Sequence, residues 1–323
     1  MRFIVVGAAG FIGSNLCQNL LKDGHQVIGI DSLEYGSLRN INEIINNKYF
    51  HFIKGDITKE DLLSKVKGDT LVHLASQKIP RYDNSLRTLF ENDLMTKLVI
   101  EKCIKDKIKL VFASTSDVYG KNPNLPFTEK HNLVLGPTNI KRWAYAASKI
   151  FSEHMIIANS EANKLNYTIV RFFGSYGKNQ NLTWWGGPQS VFIKKALLNQ
   201  PIDIHGNGKQ TRTFTYIKDT INALKKCCID NKANNEIFNI AGKPDQEIEI
   251  IELANLIWNL INPGLKPKLN FIPYEAFGKY EDVSRRVPCI DKIITKLNYQ
   301  PSYSLKEGLV ETINWQKKIE TQL

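Results

Sequence analysis

The chain holds little of what several large protein classes require. Only 5 of its 323 residues are cysteine, none at a paired spacing that would grip a metal, and Cys227 and Cys228 are direct neighbours. Neither a disulfide framework nor a metal site is expected, and Cys17, Cys103, Cys227, Cys228 and Cys289 should be reduced and mostly buried. No apolar run reaches the ~18 residues that span a membrane, and the start lacks a basic stretch leading into a cleavable signal. A cytoplasmic protein with no membrane partner is expected. Internal repeats and low-complexity segments are missing too. Acidic residues are outnumbered, 32 against 43 basic ones, giving a formal charge of +11. The lysines are spread along the chain rather than clustered with aromatics, which argues against a nucleic-acid partner. Most read as solvated faces, a minority as attracting an anionic nucleotide.

What is present begins at the amino terminus. Arg2-Phe3-Ile4-Val5-Val6 is a short apolar run, followed by Gly7-Ala8-Ala9-Gly10-Phe11-Ile12-Gly13 and an apolar-periodic segment from Leu16 to Leu21. The pattern predicts strand, tight turn, helix. Gly7 would make the turn, Gly10 would let the backbone approach a pyrophosphate, and Gly13 would let the helix pack closely on the sheet. The loop between them, with Phe11 and Ile12, is the candidate dinucleotide cradle. A second strand ends in Asp31, 18 positions beyond Gly13, where a carboxylate can accept from both adenosine ribose hydroxyls and would repel a 2′-phosphate. The expected cofactor is NAD rather than NADP.

Strands are expected near 2–6, 26–30, 50–54, 70–75, 108–114 and 166–171, with helices between them, the clearest at 87–105 and 144–163. This alternation predicts an α/β fold: a parallel, doubly wound Rossmann sheet with ligands at the carboxyl ends of its strands. After residue 171 the pattern loosens and glycine and proline punctuate it. The expected division is a cofactor domain over 1–171, also receiving about 212–240, and a smaller substrate domain over 172–211 and 241–323. Thr115 falls at a strand end. Tyr145 and Lys149 are four apart at helical spacing, so the ammonium can sit near the phenol and favour its ionised form, making Tyr145 a candidate base.

An ordered set of motifs carries a family resemblance from residue 2 to about 315. Gly7-x-x-Gly10-x-x-Gly13, His73-Leu74-Ala75, Ser114-Thr115-Ser116-Asp117-Val118-Tyr119-Gly120, Tyr145-x-x-x-Lys149, Arg171-Phe172-Phe173, Gly208-Lys209-Gln210-Thr211-Arg212 and Arg285-Arg286-Val287-Pro288 occur in sequence. The chain thereby resembles the extended short-chain dehydrogenase/reductase superfamily, specifically its NAD-dependent nucleotide-sugar epimerases, dehydratases and decarboxylases. The resemblance implies that Thr115 supports the catalytic Tyr145, that Lys149 also binds the nicotinamide ribose, and that Arg212 and Arg286 grip the substrate diphosphate. Asp56, Ile57, Leu74 and Ala75 are further candidates for the cofactor wall, and Ser116 for the substrate side. The implied substrate is a nucleotide-diphosphate sugar, most readily UDP-linked, oxidised transiently at C4, and the implied assembly is a homodimer.

The fate of the keto sugar divides the family. Lys78 matches a cofactor-holding lysine of UDP-galactose 4-epimerases and favours 4-epimerisation, the first expectation. Asp117 stands where decarboxylases and 4,6-dehydratases place a glutamate, as an acid/base or only as a turn residue; the dehydratases' Asp-Glu pair is absent because Ser116 precedes it. The stretch from Leu133 through Gly136-Pro137 to Arg142-Trp143 and Tyr145, and the later Tyr280 to Arg286, resemble the bacterial UDP-glucuronate decarboxylases of lipid A modification, the second expectation. Gly174 replaces an asparagine usual after Arg-x-Phe. Trp184-Trp185 could form an aromatic lid or pack in the core, and His205 reads as structural. A non-catalytic, RNA-binding or cofactor-sensing member of the fold is the alternative of another class, against which Thr115, Tyr145 and Lys149 argue.

Overall fold

A computed structural model of the chain describes residues 1–78, 85–243, 245–278 and 281–321. The strands, in chain order, are β1 (Arg2–Val6), β2 (Gln26–Asp31), β3 (Phe50–Lys54), β4 (Thr70–His73), β5 (Lys109–Thr115), β6 (Tyr167–Phe172), β7 (Ser175–Tyr176), β8 (Ile202–His205), β9 (Thr211–Thr213), β10 (Thr215–Tyr216), β11 (Glu236–Ile240), β12 (Glu247–Glu249), β13 (Leu269–Ile272) and β14 (Arg285–Arg286). The α-helices are α1 (Phe11–Lys22), α2 (Leu38–Ile41), α3 (Ser85–Asp106), α4 (Arg142–Asn163), α5 (Pro188–Leu197), α6 (Ile217–Ile229), α7 (Ile250–Ile261), α8 (Asp291–Leu297) and α9 (Leu305–Glu320).

Seven strands form one parallel sheet in the order β11-β6-β5-β4-β1-β2-β3. The strands are apolar on both faces because both are covered by helices. Along β1 the side chains alternate: Phe3 and Val5 join one buried cluster, Ile4 and Val6 the other, as a period of two requires. Each such side chain stabilises the fold by roughly 1.5–3 kcal/mol. Helices α1 and α6 pack together on one face, α3 and α4 on the other. The chain runs outward from β1 through β2 to β3, then resumes at β4 and runs the opposite way. That reversal opens a crevice between β1 and β4 at their carboxyl ends.

The first six strands lie within about two residues of their expected places. The seventh, β11, comes from the segment where the pattern loosens and pairs in register with β6, Asn239 beside Arg171. The remaining strands are short. One arrangement matters most for the site: β9 is flanked by β12 and β14, and the parallel β9–β14 register sets Arg286 directly beside Arg212. No helix among the described residues is long and apolar enough to cross a membrane.

Candidate active site

A cavity of about 880 Å³ opens at the carboxyl ends of the central strands. Every candidate residue named above, from Gly7 to Arg286, lines it. Residues more than 270 positions apart in sequence are thus gathered around one volume large enough for a dinucleotide and a sugar nucleotide together.

At the amino-terminal end the glycine loop joins β1 to α1. Gly13 is the tightest point: a Cβ there would stand 2.0 Å from the carbonyl oxygen of Gly7, so only glycine lets the first turn of the helix close on the loop. Asp31, at the end of β2, is buried, and its carboxylate accepts from the N–H of Ala9 and of Leu33, each at 2.8 Å. Burial raises its pKa from the usual carboxylate value, opposed by those backbone donors. A carboxylate has about four acceptor directions, so capacity remains for two ribose hydroxyls. Backbone loop and acid together fit NAD.

The reacting end is built from β5, the short turn after it, and α4. Thr115 closes β5, and its hydroxyl caps the turn Ser116–Tyr119 by accepting from Asp117 N–H at 3.2 Å. Tyr145 lies on α4, with the Ser76 and Thr115 hydroxyls near enough to its phenol to favour the ionised form. Lys149 is 2 % exposed and donates to the Ala113 carbonyl at 2.9 Å, with its Nζ 6.0 Å from the Tyr145 ring centre. The expectation that Lys149 lowers the tyrosine pKa does not hold. Burial, then the nearby Asp117 carboxylate, raise it, and Ser76 and Thr115 only partly offset them. Lys149 itself is pulled down to about 7 by burial, against the pull of Glu153. Sequence spacing brought the pair together but carried no information about dehydration, the larger effect here.

The third part of the site is a cluster of three arginines and two aspartates. Like charges side by side on adjacent strands repel, so the Arg212–Arg286 register needs anions. Asp117 Oδ1 takes Arg286 at 3.0 Å and Arg142 at 3.2 Å. Asp282 Oδ1 takes Arg142 at 2.8 Å and Arg212 at 2.9 Å, while its Oδ2 accepts from the Tyr274 hydroxyl at 3.0 Å. Burial alone would raise both acids, but the guanidiniums prevail, holding Asp117 below its usual value and Asp282 at about 2. Burial draws Arg286 down to about 10. Arg286 also donates to Ser116 Oγ at 3.3 Å, one residue from Thr115. Arg142, Asp282, Tyr274 and Ser76 were not among the sequence candidates. For Arg142 a signal existed: it lies three residues before Tyr145, on the same helical face.

Two aromatic groups border the cavity on its other side. Trp185 stacks on Tyr35 at 4.8 Å, and its carbonyl accepts from Lys78 Nζ at 2.8 Å. Trp184 stacks on His205 at 4.4 Å, and His205 meets Phe277 at 4.4 Å. Both tryptophans are half-buried and line the cavity, and Trp184 also packs against the core at Phe192. Gly174 has φ of +49°, and a Cβ there would lie 2.7 Å from the Thr213 carbonyl oxygen, which accounts for glycine in that position. Tyr280 lies outside the described residues.

Known proteins share this architecture. The chain is 32 % identical to a UDP-N-acetyl-α-D-glucosaminuronate decarboxylase of Bacillus cytotoxicus, with 99 % of this chain and 98 % of that protein covered. A UDP-glucuronic acid 4-epimerase from Bacillus cereus, solved with UDP-glucuronic acid and NAD, superposes with a TM-score of 0.88 at 29 % identity, covering 99 % and 100 % of the two chains. A UDP-glucose 4-epimerase from Thermotoga maritima, solved with UDP-glucose, gives 0.86 at 26 % identity over 99 % and 100 %. Residues 3–241 match the NAD dependent epimerase/dehydratase family. With its glycine loop, its Tyr145–Lys149 pair and that match, the chain belongs to the NAD-dependent epimerase/dehydratase family, whose cofactor is NAD.

Proposed function

We propose that the chain oxidises a UDP-linked uronic acid at C4 and releases its carboxyl group as carbon dioxide. The observation that carries this reading is the second guanidinium pair. Arg212 and its strand neighbour Arg286 would suffice for a diphosphate, yet Arg142 joins Arg286 on Asp117, beside Thr115 and Tyr145. Planar guanidiniums suit a carboxylate, and these stand at the reacting end. The relatives fit the same substrate class: one acts on a UDP-N-acetylglucosaminuronate and another was solved with UDP-glucuronic acid.

NAD, when bound, supplies the hydride acceptor and donor for the sugar carbon. The chain supplies the rest. Tyr145, with Thr115 beside it, takes the proton of the sugar 4-hydroxyl and later returns it. Once C4 is a ketone, the carboxylate on C5 is β to a carbonyl. The electron pair of the C5–C6 bond can then pass into the ketone as carbon dioxide leaves, and C5 requires a proton. Asp117, whose charge reaches Tyr145, would deliver it. A substrate carboxylate drawn to Arg142 and Arg286 would loosen their hold on Asp117 and let it take up that proton from solvent.

Epimerisation at C4 is the second reading, favoured by the likeness to the B. cereus enzyme. It requires the keto sugar to turn over within the site. A sugar held by guanidiniums at both its diphosphate and its carboxylate resists that turn, which places decarboxylation first. Residues 1–171 with 212–240 would form the cofactor part and 172–211 with 241–323 the substrate part. The chain is proposed to work as a homodimer through α3 and α4, where Phe90 and Phe151 are 65 % and 55 % exposed; sedimentation at the single-chain mass would exclude this.

The NAD-loaded chain should bind UDP-glucuronate at least ~10-fold more tightly than UDP-glucose, because one charge-assisted hydrogen bond contributes about 1.5–3 kcal/mol. In Arg286→Gln that ratio should collapse. Equal losses for both ligands in calorimetry would assign Arg286 to the diphosphate and remove the support for a uronic acid.

A further inference from the structure

Helix α4 carries another charged residue in line with Tyr145 and Lys149. Glu153 follows Lys149 by one turn, so the three share a face, and it is 4 % exposed. Its Oε1 accepts from Ser114 Oγ at 2.5 Å and from Arg171 Nε at 3.0 Å, and its Oε2 from Arg171 Nη2 at 2.5 Å. Arg171 donates onward to the Tyr119 hydroxyl at 3.0 Å, which donates to Asn239 Oδ1 at 2.7 Å. A buried ion pair of this kind is not required for a stable core, since well-packed apolar groups often serve as well. Its two ends suggest another use. Ser114 directly precedes Thr115, and Glu153 acts on Lys149.

Among the described residues, Glu153 is the acid whose charge holds the Lys149 pKa up. On its own helix it faces Tyr145 and Glu153. From β4 comes His73, whose pKa burial lowers to about 3, assisted by the Lys149 charge, so it is neutral. From β5 come the Ala113 carbonyl and the Phe112 ring, 4.7 Å from Nζ. From β6 comes Arg171, bound to Glu153. We propose that Glu153 is a positioning residue of this site: clamped by Arg171 and Ser114, its carboxylate keeps Lys149 an ammonium in dry surroundings and fixes Thr115 opposite Tyr145. The proposal rests on reading Tyr145 and Lys149 as the reacting pair.

The test reads Lys149 directly, by an NMR pH titration of its side-chain carbon signal in lysine-labelled full-length protein, assigned by its loss in Lys149→Arg. The wild-type midpoint should lie near 7. In Glu153→Gln it should fall by at least about one unit, since a nearby opposite charge shifts a pKa by roughly one to three. In Glu153→Asp it should return towards the wild type. Lysine serves only when charged, so turnover is lost as pH rises through its pKa, and Glu153→Gln should move that loss to lower pH, by ~10-fold in rate at pH 8. Glu153→Gln leaves Arg171 without a partner, so Glu153→Gln with Arg171→Met is the folding control. Restored melting with a midpoint still below wild type supports the proposal. A wild-type midpoint in Glu153→Gln, or in the folded double variant, overturns it. Absence of turnover on every UDP-sugar would instead sink the functional reading while leaving this titration decisive for Glu153.

Discussion

Tyr145→Phe should lower turnover at least ~100-fold, the usual scale for removing a positioned acid/base group, while leaving the fold and NAD binding unchanged. Only one hydroxyl is lost, and the ring keeps its place on α4. Burial and Asp117 favour the protonated phenol, so the reaction needs Lys149 charged and Thr115 in contact for the phenol to give up its proton. The rate loss should therefore persist across pH, with no recovery at alkaline pH, because the phenylalanine ring has no group to take the proton of the 4-hydroxyl. Near-normal turnover in Tyr145→Phe, measured on the NAD-loaded enzyme with its fold checked by circular dichroism, would remove Tyr145 from the mechanism.

Asp117→Asn should separate binding from chemistry. The variant keeps the side chain's shape, and Arg142 keeps its contact with Asp282. Removing the internal carboxylate leaves two guanidiniums less neutralised, so UDP-glucuronate should bind as tightly as before or more tightly. Carbon dioxide release should nonetheless drop at least ~100-fold, because C5 loses its proton donor. A weaker affinity with unchanged rate would mean that Asp117 only shapes the pocket. Isobaric conversion surviving in Asp117→Asn would favour the epimerase.

Much of the cofactor half was legible because its signals are local. Apolar runs of β1 and β2, the glycine spacing and the acid at position 31 lie within 31 residues, and each follows from the backbone geometry of a strand, turn and helix. The seventh strand was missed because Glu236-Ile237-Phe238-Asn239-Ile240 is short and carries a polar residue, Asn239, whose side chain satisfies the Phe127 and Cys289 carbonyls. The anion cluster was only half visible. Arg212 and Arg286 could be named from motifs, but that they are neighbours depends on a strand register. That Arg142 and Asp282 join them depends on a contact across 140 positions. The direction of the Tyr145 shift depends on burial, to which helical spacing is blind.

The central claim is that carbon dioxide leaves the sugar. It is tested most directly by incubating the purified protein, with NAD, with UDP-glucuronate and separately with UDP-N-acetylglucosaminuronate, and weighing the products by mass spectrometry. The account predicts, from at least one of them, a UDP-linked product lighter by the mass of carbon dioxide. A product of unchanged mass from the substrate it accepts, with the configuration at C4 inverted, would contradict it.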